Sequence, residues 1–228
     1  MLKVIASEIK LQSEMMGDTI PKVADVLKEH KAFLQSANFE LVTATEPNSS
    51  TLVTLKKTVP GGHILVQWDA VQIVQRSGQD YSGEGEDGDD AELYNDSGSM
   101  DNLEMQVEIV KDGLDKKLVL SCELDLGYDV MEGEDNTEEG ESDSVTPSDA
   151  SLYITDARIV PVNETTPVGY EGPDFSTLDE ELQSSLTEYV EAQLGDLHEL
   201  GSFIDSYSGS QEGAMYEGWL RTLEKTVQ

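Results

Sequence analysis

Apolar residues recur at helical spacing near the N-terminus. Leu2, Ile5 and Ile9 fall on one face of residues 1–16, which predicts an amphipathic helix. A second helical pattern covers Pro21–Asn38, with proline at a position suited to a first helical turn. The chain therefore opens with two predicted helices.

The C-terminal part also predicts helices. Ser176 and Thr177 precede Asp179 and Glu180 at the spacing of a capping box, and Gly195 marks a helix end. Two shorter helical segments follow, at 197–204 and 216–227.

Between these helices the apolar period changes to two, which is typical of strands with one buried face. The predicted strands cover 39–43, 51–59, 63–74, 103–109, 118–126 and 151–160. We expect a bulge near Val71–Ile73, where the alternation slips, and a two-residue turn at Asp112–Gly113. Cys122 lies on an apolar strand face, which favours a buried structural thiol. The pattern predicts an α+β fold with an antiparallel sheet covered by helices on one side.

Two stretches fit neither period and are expected to form acidic mobile loops within a single domain spanning 1–228. They cover about 77–101 and 127–149, and are rich in Gly, Ser, Asp and Glu. Their acidic residues are the predicted partner-binding groups: Glu84, Glu86, Asp87, Asp89 and Asp90 in the first loop, and Glu132, Glu134, Asp135, Glu138, Glu139 and Glu141 in the second.

The charged residues add information about function, because they are not evenly distributed along the chain. The net charge is −33, yet residues 1–76 contain eight basic and eight acidic residues, so the whole excess lies in 77–228. Such a field repels nucleic acid and anionic lipid and attracts basic proteins and cations. We therefore expect no direct nucleic-acid binding, and the absence of a long apolar run predicts no membrane insertion.

Catalytic and metal-binding patterns are not found. A calcium loop starting at Asp135 would place Thr146 where a bidentate glutamate is needed. The three histidines are far apart, the one cysteine excludes a thiolate cluster, and no phosphate-binding or nucleophile motif occurs. The sequence predicts a binding protein without a metal or cofactor rather than an enzyme.

Several strings resemble the mitochondrial acidic matrix protein family, also called the mitochondrial glycoprotein family, which includes the human complement- and hyaluronan-binding protein. The most specific is LEMQVEIVKDGLDKKLVLSCELD at 103–125, which is similar to the central hairpin of the family. LKVIASEIKLQ at 2–12 resembles its N-terminal helix, and the tail at 170–223 resembles its C-terminal helices. Residues 18–38 depart from the family by a longer connection before the first strand.

The resemblance implies a twisted seven-stranded antiparallel sheet flanked by N- and C-terminal helices, assembled as a doughnut-shaped homotrimer. It also implies a non-catalytic multiligand adaptor or chaperone of the mitochondrial matrix that supports RNA metabolism, translation or oxidative phosphorylation. The chain shows no transit-peptide pattern, so the matrix location follows from the resemblance alone.

We expect the acidic loops to meet basic partners, such as RNA-binding, RNA-processing or ribosomal proteins, and the helical stripes to meet other copies of the chain. The predicted stripe residues are Leu2, Ile5, Ile9, Tyr216, Trp219, Leu220 and Leu223. Two alternatives stay open: a nucleic-acid-mimicking, histone-type chaperone outside mitochondria, and a low-affinity calcium or cation buffer.

Overall fold

The computed structural model describes residues 2–18, 20–42, 50–77, 102–126, 128–129, 146–147, 150–163 and 170–227. The helices are α1 (Leu2–Asp18), α2 (Val23–Glu29), α3 (Lys31–Ser36), α4 (Ala70–Ser77), α5 (Glu180–Leu194) and α6 (Leu197–Thr226), with a 3₁₀ turn at Phe175–Thr177. The strands are β1 (Phe39–Val42), β2 (Leu52–Val59), β3 (Gly62–Asp69), β4 (Asn102–Lys111), β5 (Lys116–Asp125), β6 (Tyr128–Asp129), β7 (Thr146–Pro147) and β8 (Ser151–Pro161).

One antiparallel sheet organises the described residues, in the order β1-β2-β3-β4-β5-β8. The predicted α+β class is confirmed. The family resemblance implied seven strands, whereas the described part of this sheet has six, and β6 pairs with β7 in a separate short ladder.

Alternate side chains of the strands lie in one core with the helices. Leu55, Val66, Val107 and Leu120 are buried on the covered face of four adjacent strands, and helical residues such as Phe203 join the same cluster. We call this side of the sheet the inner face and the opposite side the outer face. Burial on one side of the sheet requires the period-two alternation from which the strands were predicted.

A polar contact fixes the longest helix against the sheet. The Trp68 indole N–H donates to Ser208 Oγ of α6 at 3.0 Å, and the Trp68 ring meets Phe203 and Tyr207 edge-on, with centroids 6.1 and 6.4 Å apart. Buried indole and hydroxyl groups need such a partner. This contact places α6 over the centre of the inner face.

A lysine joins the sheet to α5. The Lys57 ammonium donates to the carbonyl of Gln193 in the last turn of α5 and lies 5.6 Å from the centre of the Phe39 ring. A cation at a helix C-terminus is favoured because the free carbonyls carry partial negative charge. Burial lowers the pKa of Lys57.

The predicted strand at 63–74 was wrong beyond Asp69, where helix α4 begins. The Asp69 carboxylate accepts from the N–H groups of Val71 and Gln72, at 3.0 and 3.1 Å, as an N-terminal cap does. The capped helix explains the change of period that the sequence suggested was a bulge.

Other boundaries also differ from the prediction. The helix expected over Pro21–Asn38 is divided at His30 into α2 and α3. The turn between β4 and β5 is longer than two residues, covering 112–115, with Gly113 at a φ of 79°.

The C-terminal helices differ as well. The predicted capping box is not formed, since Asp179 caps α5 by accepting from the N–H of Glu181. Helix α6 is one 30-residue helix where two short segments were expected. Its middle is rich in Gly and Ser, but Ser208, Ser210 and Gly213 are buried, so tertiary packing overrides their low helix propensity.

Candidate binding surface

The two ends of the sheet are built differently. The register pairs Leu52 with Asp69 and Asp125 with both Asn102 and Ser151, so these residues share one end, which we call the loop-bearing end. Residues 43–49 connect β1 to β2 at this end, and residues 126–150, which include β6 and β7, connect β5 to β8. Helix α4 leaves the sheet here after Asp69, and residues 78–101 connect it back to the sheet at Asn102. The opposite end holds the short turns at 60–61 and 112–115.

Both acidic inserts are therefore attached to the same end. The eleven acidic residues predicted to bind partners lie outside the described residues, but the residues that flank each insert are described. Residues 78–101 and 127–149 contain nine acidic residues each and no Lys or Arg. Chain connectivity alone thus tethers eighteen carboxylates to the loop-bearing end.

The outer face carries a groove at this end, with a volume of about 520 Å³. Its lining includes the carboxylates of Asp69, Glu104 and Glu123 and no Lys or Arg side chain. Glu104 and Glu123 are directly opposite each other on β4 and β5. Like charges at such a cross-strand position are unfavourable in a sheet, so this end of the outer face is acidic. We call this site the outer groove.

A row of polar side chains leads away from the outer groove toward the short-turn end. Gln67 donates to Thr54 at 3.2 Å, and Gln106 donates to Gln67 at 3.4 Å and to Glu108 at 3.1 Å. Lys117 closes the row with an ion pair to Glu108 at 2.7 Å, with only 12% and 10% of the two side chains exposed. The negative charge of Glu108, which lies two residues after Gln106 on β4, is therefore neutralised by Lys117.

The sequence did not single out the outer groove. Asp69, Glu104 and Glu123 occupy ordinary polar positions of alternating strands. Only the register between β4 and β5 shows that two of them face each other. The sequence did contain one indication, because Glu104 and Glu123 are equally far along the chain from the turn at 112–115.

The predicted stripe residues come together between α1 and α6, within one chain. Ile5 and Leu220 are buried there, while Leu2 and Trp219 are 42% and 58% exposed. Ile9, Tyr216 and Leu223 are half-buried. The Tyr216 ring stacks on Trp219 with centroids 6.1 Å apart, and its hydroxyl donates to Glu8 at 3.4 Å. A contact with another copy would use mainly the exposed members, Leu2 and Trp219.

Cys122 is buried on the inner face, as predicted. Burial raises the pKa of its thiol to about 12, so the reactive thiolate is suppressed. Within the described ranges, no group of three or more His, Cys, Asp or Glu side chains is placed to hold a metal ion. Across the same part of the chain, no helix has the length and apolarity needed to cross a membrane.

These features define a class: an α+β protein whose described residues form a six-stranded antiparallel sheet, with helices over its inner face and two acidic inserts attached to one sheet end. The chain belongs to the mitochondrial glycoprotein family, whose model matches residues 5–227. The resemblance read from the hairpin and tail is thereby confirmed. Membership supports a mitochondrial location, and the family is generally non-catalytic.

Two solved structures are similar to this chain, and the first of them shows the same fold. A Leishmania major protein of unknown function, described as a sequence homologue of the human p32 protein, is 16% identical with a TM-score of 0.50. The alignment covers 90% of this chain and 99% of that one. The Trypanosoma brucei p22 protein is 18% identical with a TM-score of 0.48, over 90% of this chain and 98% of that one.

Proposed function

We propose that this chain is a non-catalytic adaptor or chaperone of the mitochondrial matrix that holds Lys- and Arg-rich proteins at its loop-bearing end. The partners would be RNA-binding, RNA-processing or ribosomal proteins, and the role would support mitochondrial RNA metabolism, translation or oxidative phosphorylation. The observation that carries the proposal is the attachment of both base-free acidic inserts to one end of the sheet, beside the outer groove.

The physical basis is electrostatic. A concentrated negative field speeds the encounter with basic partners and makes binding sensitive to salt. Many carboxylates on long connections can meet a lysine- or arginine-rich surface without demanding one fixed geometry. The outer groove adds a fixed surface lined by three acidic residues, Asp69, Glu104 and Glu123.

We propose that the protein acts as a homotrimer, in keeping with the family resemblance. The exposed Leu2 of α1 and Trp219 of α6 support contact between copies through the helical stripes. A solution mass of about three times 25.0 kDa is expected, and a stable monomer would contradict this part of the proposal.

The binding test uses a fluorescent 20-residue peptide rich in Lys and Arg, titrated at low and high salt. One variant replaces the five predicted acids of the first insert, Glu84 to Asp90, by Gln or Asn. A matched control replaces five acids of α6: Glu199, Asp205, Glu212, Glu217 and Glu224. The control has the same net charge, so it separates the position of the acids from their number.

We expect the insert variant to weaken binding at low salt by about tenfold more than the control does. Binding should also weaken strongly between about 50 and 300 mM salt, because screening shortens the reach of exposed charges. Equal losses in the two variants, or binding that high salt leaves unchanged, would contradict the proposed surface.

A further inference from the structure

The outer edge of β8 has different neighbours at its two ends. Near its C-terminal end, the Ile159 N–H donates to the carbonyl of Glu171 at 2.8 Å, so the following segment of the chain covers that part of the edge. Near its N-terminal end, Leu152, Tyr153 and Ile154 line a groove of about 410 Å³ whose other wall is α5. We call this site the edge groove. Within the described residues, β8 is the last strand of the sheet and has no further strand beside it.

The backbone of β8 determines what the edge groove presents. Backbone groups alternate between the neighbouring strand and the outer edge, and Ile159 points outward. The register shifts by one residue between Ser121 and Cys122, where Thr155 is the extra residue. Counting through this bulge, Leu152 and Ile154 direct their N–H and C=O groups toward the groove. Leu152 and Ile154 belong to the hydrophobic core and are only 4% and 8% exposed as whole residues, so their side chains are not available to a ligand.

The opposite wall is polar and carries one acidic residue, Glu188. Gln183, Ser184, Thr187 and Glu188 of α5 line the groove. They belong to residues 170–194, which carry seven acidic residues and no base. A ligand that fits must offer main-chain donors and acceptors in an extended conformation, together with positive charge.

We propose that the edge groove binds an extended, Lys- or Arg-containing peptide segment of a partner as an added strand on β8. The partner chemistry rests on the proposed function, while the site and the mode of binding are distinct from the loop-bearing end. Strand addition supplies affinity through the main chain, and Glu188 with the base-free segment around it selects for basic side chains. The hydrogen bond from Ile159 to Glu171 shows that the same edge already donates to the main chain of another segment.

The first test uses an eight-residue peptide of alternating Lys and Val. Two further peptides of the same sequence carry N-methyl groups on alternate amides, one set on each edge of the extended chain. Charge and composition are then nearly constant, and only the main-chain donors of one edge are removed. We expect the two methylated peptides to differ in affinity by about tenfold, because only one edge can face β8. Equal affinities for the two methylated peptides would overturn strand addition.

The second test uses matched variants of α5. Ser184→Arg places a long cationic side chain in the edge groove, whereas Ser185→Arg makes the same charge change at an exposed neighbour that does not line it. We expect Ser184→Arg to abolish binding of the unmodified peptide and Ser185→Arg to retain it. Equal losses would overturn the proposal. A fall in solution mass that accompanies only Ser184→Arg would also overturn it, by showing that another copy of the chain fills the groove.

The insert variant described above separates the two proposals. If it loses binding of the 20-residue peptide but keeps the Ser184-dependent binding of the eight-residue peptide, both sites are supported. If the eight-residue peptide depends on the insert acids and not on Ser184, the edge groove is wrong while the loop-bearing end stands. If neither peptide depends on the insert acids but Ser184→Arg blocks the short one, the proposed function fails and the edge groove stands.

Discussion

Two glycines in α6 should respond in opposite ways to alanine. Gly201 is buried, and a Cβ added there would lie 2.1 Å from Cδ2 of Leu126 and 3.1 Å from its Cγ and Cδ1. Leu126 is 6% exposed and belongs to the core, so it has little room to move. At Gly209, an added Cβ would meet nothing within 4 Å. The pair therefore compares one helix substitution with and without a steric neighbour.

The magnitudes follow from two opposing effects. Replacing Gly by Ala inside a helix stabilises by about 1 kcal/mol, and this gain applies at both positions. Overpacking a core costs about 1–3 kcal/mol, and this cost applies only at Gly201. We therefore expect Gly209→Ala to stabilise by about 1 kcal/mol, and Gly201→Ala to be less stable than Gly209→Ala by about 1–3 kcal/mol. For a chain of this size, each 1 kcal/mol moves Tm by about 2–4 °C.

The assay is urea and thermal unfolding followed by tryptophan fluorescence and circular dichroism. A double-mutant cycle then identifies the neighbour, because Leu126→Ala empties the space that the new methyl group needs. Leu126→Ala alone should cost about 2–5 kcal/mol, and the combined variant with Gly201→Ala should cost less than the sum of the two. Gly201→Ala as stable as Gly209→Ala, or strict additivity in the cycle, would refute the reasoning.

Three further outcomes can be measured by denaturation. Ser208→Ala should destabilise by about 1–3 kcal/mol, because the buried Trp68 indole N–H loses its acceptor. Lys117→Met should cost about 3 kcal/mol by leaving the Glu108 carboxylate nearly buried without its cation. The double variant with Glu108→Leu should cost less than this single change, and a larger loss would count against the ion pair. For Cys122, the folded thiol keeps its proton to about pH 12 while the unfolded thiol ionises near 9.0, so the native chain should lose stability relative to Cys122→Ala as pH rises through that window. A stability difference that stays flat with pH would show that the thiol is not buried as described.

The sheet could be predicted from the sequence because its strands obey a simple rule. Inner-face residues such as Leu55, Val66 and Leu120 alternate with polar ones, since only one face of each strand meets the helices. The predicted strand ends at 51–59 and 151–160 lie within a residue of β2 and β8. Burial on one side leaves a clear periodic signal.

The errors arose where a specific contact, rather than the periodic pattern, decides the structure. Asp69 starts α4 by capping it, although the apolar spacing also permitted a continued strand. Helix α6 crosses a Gly- and Ser-rich stretch because residues such as Ser208 pack against the sheet, and that partner is distant in sequence. Propensity alone favours a break there.

The sequence indicated the proposed binding surface only in part. The distribution of charged residues located the acidic inserts, but their attachment to one sheet end follows from the antiparallel register. The edge groove depends on a single extra residue in β8, Thr155, and on where α5 lies beside it. Neither relation is local in the sequence, so no periodic pattern could indicate it.

The unequal ends of the sheet also bear on how such a chain can change over time. Doubling the length of a flexible connection costs only about 0.6 kcal/mol in closure entropy, whereas Gly62 at the short-turn end leaves no room for a side chain, since an added Cβ would lie 2.0 Å from the carbonyl oxygen of Val110. Insertions and new acidic residues at the loop-bearing end are therefore nearly free of structural penalty. The amount of acidic charge at that end can drift or be selected independently of the core, and related proteins should differ most in length and composition there.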